Sequence, residues 1–153
     1  KDEELRKHLP SIWPVLPSRV YVSSYFGYRR DPFTNRRRFQ QGLDLAGRGG
    51  TDIYATADGV VALAKAKTRR RRGSGREVRH GLGKEVQIDH QFGYRTVYGH
   101  MQTVFVRAGQ TVKRGQRIGT IGSTGRTTGP HLHYGVFLNG RPADPINYLF
   151  AKP

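Results

Sequence analysis

Glycine and proline interrupt this chain so often that little room is left for long helices. The 153 residues include 20 glycines and 8 prolines, and short runs of aromatic and β-branched residues stand between them. Such runs favour strands over helices. We therefore predict one mostly β domain over residues 20–150, an antiparallel β-sandwich or open barrel. Residues 1–19 read as a short helix or an extended linker, because three prolines follow the charged start.

Strand candidates follow one another closely along the predicted domain. We predict strands at residues 20–26, 42–45, 52–55, 59–66, 84–90 and 94–99, and a hairpin turn at Asn139-Gly140. The basic run "RRDPFTNRRR" after the first strand reads as a loop. A second basic segment, residues 65–80, interrupts a hairpin and reads as an inserted, solvated loop.

The charge balance predicts an anionic partner. Lysine and arginine number 27 against 11 acidic residues, which gives a formal net charge of +16. Nucleic acid, anionic lipid and anionic cell-wall polymer would all be attracted by this charge. Four consecutive arginines in the inserted loop are candidate anion-binding residues, namely Arg69, Arg70, Arg71 and Arg72.

The sequence contains no cysteine. A disulfide framework and a thiolate ligand are therefore excluded, and any bound metal must use histidine, aspartate or glutamate. No apolar run approaches the length of a membrane span, and no signal-peptide pattern opens the chain. Because the sequence starts abruptly, a trimmed chain that has lost a targeting or anchoring segment would look the same.

Two short stretches, "RFQQGLDLA" and "HLHYGV", contain residues that could form most of a zinc site. His131 and His133 are two apart, so on a strand they share one face. Gln40 and Asp44 are four apart and would share a face if the segment were extended. Catalytic zinc typically takes three protein ligands, here Asp44, His133 and position 40. Glutamine is a poor replacement for histidine, which predicts weak or absent zinc.

Two more histidine roles complete this hypothesis. His100, after the strand "TVYGHM", is the residue type that polarises a carbonyl or moves a proton, and His131 could take a proton from a metal-bound water. Plain structural alternatives stay open for each residue. Asp44 alone also fits a turn, and the histidine pair alone also fits an ordinary strand.

Five ordered blocks then show a family likeness: "SSYFGYRRDPF", "FQQGLDLAGRGGTDIYATADGVVALA", "VQIDHQFGYRTVYGHM", "VRAGQTVKRGQRIGTIGSTGRTTGPHLHYGV" and "NGRPADPINYL". From about Val20 to Tyr148, the sequence resembles the lysostaphin-type, or LytM-type, zinc metallopeptidases, which cut peptide cross-links in bacterial peptidoglycan. The resemblance implies metal ligands at Gln40, Asp44 and His133. It implies catalytic roles for His100, which would stabilise the transition state, and for His131, which would activate the water.

The departure from the family pattern is Gln40, where the motif is His-x-x-x-Asp. We therefore expect a domain that binds peptidoglycan, an anionic cell-wall polymer, or another cell-wall hydrolase or envelope protein, with hydrolysis impaired or lost. The alternative is an active zinc-dependent endopeptidase. A basic nucleic-acid-binding module is a remote third hypothesis, because aromatic residues are not interleaved with "RRRR".

The resemblance also implies a cellular location and a substrate groove. We expect the protein in the bacterial cell envelope, in the periplasm or on the outer wall side. Tyr98 and Tyr134 are predicted to line a substrate groove, with Tyr21 and Tyr25 as further candidates. Natural loss of a histidine and an engineered substitution at Gln40 would give the same sequence.

Overall fold

The computed structural model describes residues 2–68 and 81–153. The mostly β prediction is confirmed, with antiparallel pairing throughout the sheets and one short α-helix, α1 (Asp2–Arg6). The strands are β1 (Val20–Ser24), β2 (Gly27–Arg30), β3 (Arg37–Gln40), β4 (Leu43–Gly47), β5 (Asp52–Tyr54), β6 (Gly59–Lys65), β7 (Lys84–Asp89), β8 (Tyr94–Val104), β9 (Thr111–Val112), β10 (Arg117–Ile121), β11 (His131–Leu138) and β12 (Arg141–Ala143). Single 3₁₀ turns lie at Pro17–Arg19, Gln91–Gly93 and Pro145–Tyr148. No helix in the described ranges is long and apolar enough to cross a membrane.

One large sheet contains ten of the strands. Its main path runs β1-β4-β11-β8-β7-β6-β9, with β12 beside β11. The long strand β8 pairs with β11 and β7 along its first part, and near its end it pairs with β10, which in turn pairs with β5. The centre of the sheet therefore consists of β4, β11 and β8, which position the candidate site.

The core lies on one face of these central strands. Apolar residues of β4 and β11 alternate with the candidate site residues, as a period of two requires. The largest fully buried apolar side chains include Leu43, Leu45, Ile53, Ile88, Met101, Ile118, Ile121 and Leu132. The segment before β1 also packs here, since Val15 is fully buried and the Trp13 amide donates to the Ala151 carbonyl.

The structure corrects the prediction that "RRDPFTNRRR" is a loop. Strands β2 and β3 pair in a separate two-stranded sheet in which Gly27 lies opposite Gln40 and Arg29 opposite Arg38. The strand pattern was hidden because arginine occupies half of the positions in β2 and β3, and because the ribbon is exposed on one side. Phe39 packs edge-on against Phe26 and Tyr28, which holds the hairpin together. We call residues 27–40 the basic hairpin.

Two local predictions have different outcomes. The turn at Asn139-Gly140 is confirmed, since both residues have positive φ and the chain reverses between β11 and β12. The inserted basic loop falls largely on residues 69–80, which lie outside the described residues. The anion-binding role of Arg69, Arg70, Arg71 and Arg72 therefore stays a prediction.

Candidate functional site

Asp44 and His133 form the centre of the candidate site. Strands β4 and β11 pair so that these two residues lie directly opposite each other. His133 Nδ1 donates a hydrogen bond to Asp44 Oδ1 over 2.9 Å. Burial raises the pKa of Asp44, but the hydrogen bond from His133 and the charges of the nearby histidines outweigh it, so the pKa lies below its usual value. The carboxylate is therefore ionised at neutral pH.

His131 faces the same carboxylate from two residues along β11. Its Nε2 atom lies 3.8 Å from Asp44 Oδ1. Its Nδ1 atom donates to the Gly129 carbonyl over 2.9 Å and lies 3.0 Å from Thr127 Oγ1. Because a carbonyl only accepts, Nδ1 carries a proton, and Nε2 is the ring nitrogen that faces the site.

His100 enters the site from a bulge in β8. Its φ angle is +61°, and the pairing with β7 shifts register at this point. The imidazole Nδ1 donates to the Thr124 carbonyl over 2.6 Å, and the ring centroid lies 4.6 Å from that of His131. Burial lowers the pKa of His100 to about 4, although the Thr124 carbonyl opposes the shift. His100 is therefore neutral at pH 7, with an accepting Nε2 atom.

Gln40 stands at the end of β3 and is 6% exposed. Its Nε2 donates to the Gly42 carbonyl over 3.0 Å, and its Oε1 accepts from Arg29 Nη1 over 2.9 Å. Both ends of the amide are thus engaged by the protein. Gln40 and Asp44 do not lie on one extended segment, the condition under which their spacing would place them on one face, since Gln40 belongs to the basic hairpin and Asp44 to the main sheet.

An open groove of about 750 Å³ contains these residues. The basic hairpin contributes one wall, and the segment between β10 and β11 contributes Arg126, Thr127 and Thr128. The other lining residues are Ser23, Ser24, Arg29, Asp31, Pro32, Phe33, Arg38, Phe39, Gln40, Gln41, Asp44, Gly81, Leu82, His100, His131 and His133.

Asp31 ties the two walls together. Its Oδ1 accepts from the amides of Phe33 and Thr34 over 2.7 and 3.2 Å, and its Oδ2 accepts from Arg38 over 3.0 Å. The Arg126 guanidinium lies 3.6 Å from Asp31 and stacks over the Phe33 ring at 4.5 Å. The Phe33 amide, followed by Arg38, lowers the pKa of Asp31 to about 2. Asp31 therefore provides one negative charge beside both Arg38 and Arg126.

Tyr98 and Tyr134 are not in the groove, which corrects that prediction. Both side chains are fully buried on the core face. The Thr56 hydroxyl lies 3.1 Å from the Tyr98 hydroxyl and 2.8 Å from that of Tyr134. Because His133 and Tyr134 are adjacent on β11, they point to opposite faces of the sheet. The two tyrosines therefore support the site from beneath and cannot touch a ligand.

The sequence matches the model of Peptidase family M23 over residues 38–145. The chain belongs to this family. The resemblance to LytM-type peptidases is thus confirmed. The match begins within the basic hairpin and includes all the candidate site residues from Gln40 to His133.

Curated relatives of this M23 domain are longer proteins. It is 38% identical over 143 residues to the DD-carboxypeptidase/endopeptidase Mpg of Neisseria meningitidis, covering 94% of this chain and 30% of that protein. It is 41% identical over 135 residues to the peptidoglycan DD-endopeptidase ShyA of Vibrio cholerae, covering 88% of this chain and 28% of that one. The chain thus spans less than a third of these relatives.

Solved structures agree with this assignment. A zinc-containing peptidase from Vibrio cholerae superposes with a TM-score of 0.73 at 35% identity, covering 91% of this chain and 39% of that chain. A structure of the SpoIIQ-SpoIIIAH pore-forming complex superposes with a TM-score of 0.74 at 25% identity, covering 95% and 94% of the two chains.

The M23 family is zinc-dependent, but the donor set of this M23 domain fits a catalytic zinc poorly. Asp44 and His133 are hydrogen-bonded to each other, and the Gln40 oxygen is held by the guanidinium of Arg29, whose charge repels a metal cation. In the described parts of the chain, no three His, Cys, Asp or Glu side chains are arranged to hold a metal ion. Two strong ligands are one fewer than catalytic zinc sites use.

Sequence reasoning missed the residues that orient the histidines. Thr127 and Gly129 hold His131, and Thr124 holds His100. Thr127 and Gly129 lie within four residues of His131, a proximity that could have indicated them. Arg29 gave no such signal, because its contact with Gln40 depends on the hairpin pairing that the sequence concealed.

Proposed function

We propose that this M23 domain binds bacterial peptidoglycan through its groove and does not hydrolyse it. The observation that carries the proposal is the state of Gln40, whose amide donates to Gly42 and accepts from Arg29. An oxygen that already accepts from a guanidinium is a weak third ligand for zinc. Without bound zinc, His100 and His131 have no activated water to act upon.

The rest of the site supports a retained binding role. His131 and His133 face Asp44, His100 packs beside them, and two walls still form an open groove. The net charge of +16 favours association with anionic wall polymers. The relatives include a peptidoglycan endopeptidase, which supports our proposal that this domain acts in the cell envelope, with peptidoglycan or an envelope protein as partner.

The proposed test uses purified sacculi. We expect the domain to sediment with sacculi in a salt-sensitive manner while releasing no new amino termini, with or without added zinc. The matched variant Gln40→His should gain peptide release with zinc. Failure of the unmodified domain to sediment with sacculi would contradict the binding role, and multiple turnover by it would contradict the loss of hydrolysis.

A second candidate function is an active zinc endopeptidase. It is favoured by the presence of His100, His131, His133 and Asp44 in one groove. This function requires Gln40 to release Arg29 and present its oxygen to zinc. Zinc-dependent cleavage that is abolished by His131→Ala in the unmodified background would support it.

A partner protein is a further possible ligand for the same domain. The SpoIIQ-SpoIIIAH structure shows a chain of similar fold within a complex. By analogy, another cell-wall hydrolase or an envelope protein could occupy this groove. Competition between soluble peptidoglycan fragments and the candidate protein for the domain would identify a shared site.

A further inference from the structure

Arg29 differs from the other two arginines of the groove in having no carboxylate partner. Arg38 and Arg126 both lie beside Asp31, at 3.0 and 3.6 Å. In residues 2–68 and 81–153, no carboxylate oxygen lies within 4.0 Å of the Arg29 guanidinium, and its one side-chain hydrogen bond runs to Gln40 Oε1. Among the described residues, the positive charge of Arg29 is therefore the one arginine charge in the groove without a carboxylate at ion-pair distance.

Gln40 fixes the direction of this charge. The Gln40 side chain is buried and its Nε2 is tied to the Gly42 carbonyl, so Oε1 holds Arg29 Nη1 from a rigid position. A guanidinium carries five N–H donors in a planar fork. With one donor used by Gln40, the others make no hydrogen bond to residues 2–68 or 81–153 and can contact a ligand in the groove. Gln40 is thus a positioning residue for Arg29.

A carboxylate is the ligand group that this arrangement fits. A half-buried guanidinium binds carboxylates through paired, charge-assisted hydrogen bonds. The same groove contains the hydroxyls of Ser23 and Ser24, and Arg38, which lies opposite Arg29 in the hairpin, is already paired with Asp31. Peptidoglycan stem peptides carry carboxylates at the chain end and on side chains.

We propose that Arg29, held by Gln40, anchors a carboxylate of a peptidoglycan stem peptide in the groove. This inference rests on the proposed binding function and specifies which chemical group the groove recognises. It gives Gln40 a role in recognition at the position where the family pattern has a metal ligand. The geometry of Arg29 and Gln40 carries the inference without any metal ion.

The experiment measures affinity by calorimetry for three synthetic probes. These are a stem tetrapeptide ending in a D-alanine carboxylate, its terminal carboxamide, and the same acid with its side-chain carboxylates amidated. We expect one of the two amidated probes, either the terminal carboxamide or the side-chain amide, to bind about ten-fold more weakly than the unmodified acid, as loss of a charge-assisted pair does. The weakened probe identifies whether the terminal or the side-chain carboxylate contacts Arg29.

Matched variants connect this loss to Arg29. Arg29→Gln should remove the discrimination between acid and amide, whereas Arg29→Lys should retain part of it. Arg30→Gln removes the same charge from the adjacent, exposed position, where Arg30 donates to the Asn35 carbonyl, and should leave the discrimination unchanged. Circular dichroism confirms that each variant is folded.

Three results would overturn the inference. These are equal affinity for the acid and both amides, equal weakening by Arg29→Gln and Arg30→Gln, or no binding of any peptide by a domain that still sediments with sacculi. In each of these cases the proposed binding function stands. A domain that binds neither peptides nor sacculi contradicts both.

Discussion

Gly42 lies so close to His133 that a Cβ atom at position 42 would stand 2.8 Å from the imidazole Nε2. The same Cβ would lie 2.5 Å from the Tyr134 carbonyl oxygen. Position 42 thus requires glycine for a steric reason, because the chain passes here from the basic hairpin into β4. The close approach sets the position of the His133 ring.

Gly42→Ala should therefore destabilise the domain by about 1–3 kcal/mol, as overpacking does, and weaken groove binding by displacing His133. Urea unfolding and peptide affinity measure the two effects. Gly49→Ala is the control, since its nearest neighbour would be an ordinary 3.8 Å contact with Gln102. Equal stability of the two variants would show that the crowding at His133 is relieved without cost.

The buried hydroxyl of Thr56 is expected to stabilise the layer beneath the site. Thr56→Val leaves the Tyr134 hydroxyl without a hydrogen-bond partner among the described side chains. The substitution should lower the free energy of unfolding by about 1–3 kcal/mol. In a Tyr134→Phe background, Thr56→Val should lower the free energy of unfolding by less, because the tyrosine hydroxyl that would lose its partner is absent. Urea unfolding of the four proteins gives the coupling. A coupling of zero would contradict the role of this hydrogen bond.

Asp31 should control the order of the basic hairpin. Asp31→Ala removes the acceptor for the Phe33 and Thr34 amides and the counter-charge of Arg38. We expect faster hydrogen exchange at residues 33 and 34 and weaker peptide binding. Asp52→Ala is the control, because it removes an exposed carboxylate whose partner is Arg117, away from the groove. Unchanged exchange at residues 33 and 34 would contradict the role of Asp31.

His90 should contribute to a decrease in the free energy of unfolding at acidic pH. Burial lowers the pKa of His90 from 6.5, with Nδ1 beside the Asp58 carbonyl and Nε2 beside Thr96. His90 therefore binds a proton more readily in the unfolded chain than in the folded one. Its neutral form contributes no penalty to the free energy of unfolding above pH 6.5, and that free energy falls as the pH decreases from 6.5 toward the folded-state pKa of His90. Comparing the free energy of unfolding at pH 7.5 and 5.5, we expect a smaller loss in His90→Gln than in the unmodified domain. An equal loss would exclude His90 as a source.

The sequence predicted the fold class and the main strands because their patterns are local. A period of two also predicts that His131 and His133 share a face, and the structure has both beside Asp44. The same period excludes Tyr134 from that face, so its assignment to the groove contradicted information already present in "HLHY". The period-two alternation of side chains along β11 therefore predicted the facing of Tyr134 better than its residue type did.

The basic hairpin and its contacts could not be predicted in this way. Its strands carry arginine where strands usually carry apolar residues, so the composition indicated a loop. The contact between Asp31 and Arg126 joins segments far apart in sequence, and depends on how the hairpin lies against the main sheet. The pairing of Arg29 with Gln40 follows from strand register, which the sequence did not reveal.

The central claim is that Gln40 disables a zinc site in an otherwise complete groove. Zinc titration calorimetry of the unmodified domain beside Gln40→His tests it most directly. The account predicts that the histidine variant binds zinc at least about ten-fold more tightly, since even changes outside the ligand shell cost 10–100-fold. Equal zinc affinity in the two proteins would contradict the account, because Gln40 would then serve as a ligand in spite of Arg29.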